Sequence, residues 1–470
     1  MSDFSGRSFK PPRTSIIILS YNNLKYNKGV VASIRTYTDP DSYELILVDN
    51  ASMDGTREWL ADLEGVKVIL NDENLGFPAG CNQGIKAAAP ENDILLLNND
   101  VEVCQNWLVN LQTALYSQPR IGAVQPVNSN YVGQVPGVDF ESEDTTSVHE
   151  YALRNNVSDP EKWHYTNYLN GYCMFFRREA LEETGYLDEQ FTPGNFEDDD
   201  ISFRLMGQGW FMLICYDAFV HHFHNKSFNR KERELEYWQL ITTNRQKFYE
   251  KWDFDAWDKS KMDTHLLIMV EQKGPQVLDI LHLECTLGAT LLAIKKVLPN
   301  ARLFGQVENP AYGPAIAGIL EDQVEVANHE LVGREPGTFD YILISDFFTL
   351  SQEGKKDIHS YLKYLKPGGE LVVKVKNQID FQGMRARLWQ EEAFTSHETG
   401  LGNPFYVTPQ QLQDLGQTEE GELEVDIYPW TYQNNDEEKA IAKWWAQRTE
   451  VDHSENLNVF LYSINLKKSH

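Results

Sequence analysis

The sequence predicts an α/β protein of two consecutive domains, on three observations. Its 470 residues exceed what one ordinary core organises. Short β-branched runs alternate with amphipathic stretches over residues 14–97. The same alternation starts afresh near residue 277, after an aromatic and charged stretch.

Residues 14–19 (TSIIIL) are a buried strand that runs into Ser20, Tyr21 and Asn22, a polar loop unable to continue the sheet. Residues 43–48 (YELILV) form a second strand, closed by Asp49-Asn50-Ala51-Ser52. Residues 66–70 and 93–97 form a third and a fourth. Helices fill residues 27–36, 56–63 and 80–89 between them, the second entered through the turn Asp54-Gly55-Thr56. Such alternation implies a mostly parallel sheet with ligands at the C-terminal strand ends. Further on, residues 171–176 restart β structure, 200–207 are helical and 211–215 are a strand. Residues 230–252 read as one amphipathic helix, with Leu235, Trp238, Ile241, Arg245 and Phe248 on one face. This gives a first domain over residues 1–252, a linker over 253–274 and a second domain over 275–470. In the second domain residues 277–283, 301–305, 340–344 and 371–375 are strands and 289–298 a helix.

A hydrophobic share of 41%, with 12% aromatics, supports packed interiors and excludes a disordered chain. No apolar run approaches the roughly 20 residues of a membrane span, and the first residues lack the apolar core of a leader, so a cytoplasmic protein that does not span a membrane is expected. The five cysteines are scattered without CxxC spacing and read as packed thiols. Asp plus Glu number 70 against 42 Lys plus Arg, a net charge of −28 that disfavours nucleic acid and anionic membranes as partners. An anionic nucleotide ligand would need a local cation here, which points to a metal.

Three clusters carry chemistry. Asn98-Asn99-Asp100 follows an apolar strand, where a carboxylate can hold a divalent ion against a diphosphate. Glu197-Asp198-Asp199-Asp200 precedes a helix; capping accounts for part of it, but four adjacent acids repel one another beyond what a cap requires. One of them in a partly open pocket suits a general base. His221 ends an apolar strand and can offer an imidazole to a metal.

Together these residues carry a resemblance to glycosyltransferase family 2, particularly its rhamnosyltransferase-like members. The matching segments are SIIILSYNN (15–23), ELILVDNASMDGT (44–56), NLGFPAGCNQGIKAA (74–88), DILLLNNDVEV (93–103), GYCMFFRREAL (171–181), EDDDISFRLMGQGW (197–210) and AFVHHFHNKS (218–227). The resemblance implies a GT-A fold and an inverting, metal-dependent transfer of a sugar, hexosyl or rhamnosyl, from a nucleotide-diphosphate sugar to a hydroxyl. It implies that Ser20, Tyr21 and Asn22 line the nucleoside and that Asp49 bonds a pyrimidine base. Asn74, Gly76 and Asn82 would lie near the diphosphate, with Asn98 and Asn99 beside them. Asp100 and His221 would hold manganese or magnesium, and Asp198 would be the base. His222 and His224 carry no assigned role, while Asp199 and Asp200 would cap the helix with Arg204 on its far side. The acceptor implied is a glycan, a lipid-linked sugar or a protein, in surface-glycan or protein glycosylation.

Residues 280–305, 339–350 and 361–375 resemble class I S-adenosylmethionine-dependent methyltransferases, a second Rossmann-like fold, with a helix ending at Lys366-Pro-Gly-Gly before a strand. The cofactor loop departs from that family: His282 stands at the acid, Glu284 and Thr286 at two glycines, and only Gly288 is kept. Glu308 is one position out of register for the ribose. S-adenosylmethionine binding is therefore not expected. The domain reads as an interaction module and a homodimer surface, with residues 403–407 (NPFYV), Trp444 and Trp445 as core, interface or carbohydrate-stacking aromatics. A bifunctional enzyme and a catalytically silent binding protein are the alternatives.

Overall fold

The computed structural model describes residues 11–223, 234–271, 276–327, 330–347, 358–376, 412–418, 421–431 and 459–467. His224, residues 403–407, Trp444 and Trp445 lie outside the described residues. The chain divides into two compact units, Met1–Ser260 with Ala311–Ile319, and Lys261–Pro310 with Leu320–His470.

The first unit opens with β1 (Thr14–Ser20), α1 (Leu24–Tyr37), β2 (Tyr43–Asp49), α2 (Thr56–Ala61), β3 (Lys67–Leu70), α3 (Phe77–Ala87) and β4 (Asp93–Asn98). It continues through β5 (Val101–Glu102), α4 (Trp107–Leu115), β6 (Ile121–Val127), α5 (Ser129–Val132), α6 (Thr146–Asn155), β7 (Trp163–Thr166) and β8 (Cys173–Phe176). Next come α7 (Arg178–Thr184), α8 (Glu197–Gly207), β9 (Phe211–Phe219), β10 (His221–His222) and α9 (Glu234–Trp252). Eight strands make one sheet in the order β3-β2-β1-β4-β8-β6-β9-β7, with the first four parallel and β8 antiparallel to β4. The order turns back between β1 and β4, so the crevice at their C-terminal ends is the topological switch point where such sheets take ligands. Ile16, Ile18, Leu45, Leu47, Leu95 and Leu97 build the core on one sheet face, covered by Val30, Val31 and Ile34 of α1. The short β5 and β10 pair separately.

The second unit holds α10 (Thr264–Leu267), β11 (Asp279–Leu283), α11 (Ala289–Val297) and β12 (Arg302–Gly305). The helix α12 (Gly313–Ile316) groups with the first unit. Then follow β13 (Asp322–Gln323), β14 (Val326–Ala327), β15 (Glu330–Leu331), β16 (Phe339–Phe347), β17 (Leu365–Lys376), β18 (Gln417–Thr418), β19 (Gly421–Glu422), β20 (Glu424–Thr431) and β21 (Val459–Lys467). The sheet order is β13-β12-β11-β16-β17-β21-β20, parallel from β13 through β17, with β21 antiparallel to both neighbours.

Several expectations need correction. Lys366-Pro-Gly-Gly lies inside β17, where the register to β16 shifts, rather than closing a helix. Lys366 is drawn there by Asp279 at 2.9 Å and Asp340 at 2.6 Å. In α9 the expected apolar face fails at its N-terminal half, since Leu235 and Trp238 are 73% and 53% exposed. Burial begins at Asn244, whose amide donates to the carbonyls of Phe191 and Gly194, and continues at Phe248. All five cysteines are buried free thiols. Among the described residues no helix is long and apolar enough to cross a membrane.

Candidate functional site

The C-terminal ends of β1 and β2 carry the nucleoside-side residues. Asn22 and Ala51 take left-handed backbone conformations, with φ of 55° and 64°, which fold the two loops against each other. The Asn22 N–H donates to Ser52 Oγ at 2.7 Å, and Met53 N–H donates to Asn22 Oδ1 at 2.9 Å. Asp49 is fully buried. Its Oδ2 accepts from Ser52 N–H at 3.2 Å and faces Arg57 at 3.6 Å, while its Oδ1 has no partner. A buried carboxylate oxygen left unpaired is costly unless a donor arrives from outside the chain. Tyr21 is exposed beside Ser20, which is buried and donates to Asn27 Oδ1 at 3.1 Å.

Asn74 and Gly76 form the turn into α3. Asn74 Oδ1 accepts from Gly76 N–H at 2.9 Å and from Asn50 Nδ2 at 3.2 Å. Gly76 has φ 83°, and a Cβ on it would stand 2.8 Å from Thr192 Cγ2 and 2.9 Å from Pro193 Cα. Its lack of a side chain thus admits the chain at 192–193. Asn82 departs further from expectation. It lies within α3, donating through Nδ2 to Leu187 O at 2.8 Å and Glu189 Oε1 at 2.9 Å, while Oδ1 accepts from Leu187 N–H at 3.1 Å. Its amide fastens α3 to residues 187–189 and is already bonded at both ends.

At the end of β4 the Asn98 N–H donates to Tyr172 O at 2.9 Å. Asn99 is buried and donates through Nδ2 to Asn27 Oδ1 at 2.9 Å. Asp100, also buried, presents Oδ1 to His222 Nε2 at 3.1 Å. His222, not the expected His221, therefore faces Asp100. In the antiparallel pair of β5 and β10, His222 stands opposite Val101 and His221 opposite Glu102. Successive side chains leave a strand on opposite faces. His221 is buried, with both ring nitrogens unpartnered, and its ring lies against Phe223 at 4.4 Å. Burial holds its pKa down to about 4, against the pull of Glu102. Glu102 itself accepts from Thr145 at 3.0 Å and contacts His149 at 2.6 Å.

The acid cluster opens α8, where Asp198 Oδ1 accepts from the Asp199 N–H at 3.0 Å. Phe196 is the N-cap, with no side-chain cap bond. Asp199 is buried against Lys259, and burial still pushes its carboxyl up to about 7. Asp200 meets Arg204 at 2.9 Å, Lys251 at 2.6 Å and the Trp252 indole at 2.9 Å. Both are tertiary anchors. Glu197 is buried with Oε2 unpartnered, and burial, then the neighbouring Asp198, pushes its carboxyl well above the carboxylate range. Asp198 alone is partly open, with Oδ2 accepting from Gly171 N–H at 3.0 Å.

Gly171 and Tyr172, to which the sequence assigned no role, join these clusters. Gly171 holds Asp198; the Tyr172 carbonyl holds Asn98, and its ring stacks on His222 at 5.3 Å. The structure thus draws Asp198, Asn98 and His222 onto one dipeptide, with Asp100 reached through His222. A cavity of about 530 Å³ lies elsewhere, at the N-terminal end of β4, lined by Asp93, Tyr116, Arg177 and Arg178. None of the site residues lines it.

The donor set suits a divalent ion. Asp100 Oδ1 and His222 Nε2 stand 3.1 Å apart, and a carboxylate with an imidazole would be the donors to hold such an ion. Among the described residues no group of three or more His, Cys, Asp or Glu could hold a metal ion.

Residues 15–185 match the glycosyl transferase family 2 model. The N-terminal region therefore carries a glycosyltransferase family 2 domain. An uncharacterized protein, y4gI, of Sinorhizobium fredii is 27% identical over 232 residues, covering 44% of this chain and 24% of that one. Glycosyltransferase AglE of Haloferax volcanii is 24% identical over 214 residues, covering 44% of this chain and 66% of that one. The chain thus spans less than two thirds of the length of these relatives. A solved mannosyltransferase from Pyrobaculum calidifontis, in complex with GDP-Man and Mn2+, is 18% identical with a TM-score of 0.39, covering 66% of this chain and 74% of that one.

Proposed function

We propose that this chain is an inverting, metal-dependent glycosyltransferase that moves a hexosyl or deoxyhexosyl group from a nucleotide-diphosphate sugar to a hydroxyl of a glycan, lipid-linked or protein acceptor. The observation that carries this reading is the Asp100–His222 pair at the switch point of a family 2 domain. The unpartnered Asp49 Oδ1 supports a uracil or thymine base, whose ring N–H is the donor that this oxygen lacks.

Asp198, the partly open acid, takes the proton from the acceptor hydroxyl. The acceptor oxygen attacks the anomeric carbon as the bond to the diphosphate oxygen breaks, and the nucleoside diphosphate leaves with that electron pair. One base and no protein nucleophile give inversion. A divalent ion on Asp100 and His222 supplies positive charge for the leaving diphosphate. Asn22 and Asp49 hold the nucleoside so that the anomeric carbon stays in line with the acceptor.

For the second unit we propose a binding role without methyl transfer. Glu284 and Thr286 hold left-handed conformations, with φ of 59° and 46°, in the loop after β11. There the Glu284 N–H is already bonded by Gln306 Oε1 at 2.9 Å, and the Cys285 N–H by Gln306 O at 2.9 Å. These amides are thereby occupied where a cofactor would approach.

Calorimetry with UDP, dTDP and GDP, each with and without manganese, and with S-adenosylmethionine, tests both proposals. Manganese-dependent binding of a pyrimidine diphosphate and no heat from S-adenosylmethionine is the expected result. Absence of nucleotide binding under all conditions would overturn the transferase reading, and S-adenosylmethionine binding would overturn the second.

A further inference from the structure

Asn27 sits where a hydrophobic residue belongs. The buried residues of α1 are Asn27, Val30, Val31, Ser33 and Ile34, and Asn27 has no exposed surface. Leucine has the same number of side-chain heavy atoms in the same branched arrangement, a larger volume and better helix propensity, and it would bury no amide. Packing therefore gives no reason for an asparagine at this position.

Its hydrogen bonds give one. Nδ2 donates to Asn22 O at 2.8 Å and to Thr56 Oγ1 at 3.1 Å. Oδ1 accepts from Ser20 Oγ at 3.1 Å and from Asn99 Nδ2 at 2.9 Å. A carboxamide has two donors and two good acceptor positions, and here all four are used. The partners come from the end of β1, the loop after it, the start of α2 and the loop after β4. The bonds form a continuous path: Ser52 N–H to Asp49 Oδ2, Asn22 N–H to Ser52 Oγ, Asn27 Nδ2 to Asn22 O, and Asn99 Nδ2 to Asn27 Oδ1. The next residue along the chain from Asn99 is Asp100.

We infer that Asn27 is a positioning residue that fixes the nucleoside-side loop and the metal-side loop in one mutual geometry across the switch point. The inference rests on the transferase reading above. A saturated amide in a low-dielectric interior admits one arrangement of its partners, whereas an apolar side chain would leave each loop to settle alone. Asn27 touches neither the base nor the ion; it sets Asn22 against Asp49's loop and Asn99 beside Asp100.

The test uses the full chain in three forms: wild type, Asn27→Leu and Asn27→Asp, with Ile34→Val on the same helix face as a control for simple loss of stability. Two constants are read: manganese alone, by electron paramagnetic resonance of the free ion, and UDP or dTDP at saturating manganese, by calorimetry. Circular dichroism checks folding. Asn27→Leu is expected to weaken both constants by about tenfold or more, the range seen when outer-shell partners of a metal site are removed. Asn27→Asp keeps the acceptor for Ser20 and Asn99 but turns an oxygen towards the Asn22 carbonyl. It is expected to weaken nucleotide binding while leaving manganese within about threefold. Ile34→Val should lower the melting temperature and leave both constants unchanged. A folded Asn27→Leu with both constants within about twofold of wild type overturns the inference. If Asn27→Leu does not fold, Asn27→Asp decides: equal effects on the two constants, or none, overturn it. Wild-type protein that binds neither probe would overturn the transferase reading itself, whereas wild-type binding with unaffected variants overturns this inference alone.

Discussion

In the two-residue strand β10 successive side chains leave on opposite faces, so His222 meets Asp100 while His221 is enclosed with Glu102 and Phe223. His222→Ala should therefore weaken manganese binding by about 10- to 100-fold. His221→Ala should leave it within about twofold and instead cost roughly 1–3 kcal/mol of stability, as for other buried truncations. Manganese titration and denaturant unfolding of both variants separate the two outcomes, and the reverse pattern would restore His221 as the ligand. Asp198→Asn should cut turnover by at least about a thousandfold with donor affinity nearly intact, since the base acts only on the acceptor's proton. Near-normal turnover would end its assignment. The acids and histidines were legible in the sequence as a group, but not which histidine faces Asp100. That depends on pairing with β5, a strand far earlier in the chain. Asn27 was also readable in principle, as an amide in an apolar stripe, yet only the structure supplies its partners.

Among the elements, β1 to β4 were visible because isolated apolar runs ending in polar loops have few other readings. Residues 107–127 received no element, although they form α4 and β6. Trp107, Leu108, Leu111, Ala114 and Leu115 are all buried together with Asn110 and Gln112, so α4 shows no polar face to betray its period. The seat of α3 on β1 is set by two glycines one turn apart. A Cβ at Gly84 would stand 2.3 Å from Ile17 Cγ2, and one at Gly80 2.3 Å from Leu19 Cδ1. Gly84→Ala gains helix propensity of about 1 kcal/mol, but overpacking typically costs 1–3 kcal/mol. With so close an approach to a buried strand the variant should be less stable; a raised denaturation midpoint would refute this. In the second unit His282 on β11 is buried, bonded to Ser345 at 2.6 Å, and held by burial at a pKa of about 4 rather than 6.5. The unfolded chain takes up its proton below pH 6.5 while the folded chain does not until about pH 4. Stability from this residue is thus unchanged above that window and is lost as pH falls through it, by roughly 3 kcal/mol in all. Hydrogen exchange of β11 amides, corrected for intrinsic rates, should report the loss in wild type and not in His282→Leu.

Over the whole molecule the net charge is −28, yet the proposed donor is an anion. Two arrangements could reconcile these. Fixed cations at the site could outweigh the global field, or a bound divalent ion could offset it locally. Asp49 has Arg57 at 3.6 Å, but Arg57 is also directed to Asp72 and to the Asn71 carbonyl. The proposed site itself carries the acids Asp100 and Asp198, and that balance favours the ion. The two cases differ in the sign of their salt dependence. Lowering ionic strength from about 0.15 M to 0.01 M lengthens the Debye screening distance from roughly 8 Å to 30 Å, so more of the protein's field reaches the ligand. Without metal, a nucleoside diphosphate should then bind more weakly as salt is removed. This is opposite to the behaviour of polyanions on basic proteins. With saturating manganese the dependence should shrink, because the ligand meets a neutralised site. Calorimetric titrations at the two salt levels, in chelator and in manganese, measure both slopes. Metal-free binding that tightens as salt falls would mean that fixed cations dominate the site, and the metal would lose its electrostatic rationale.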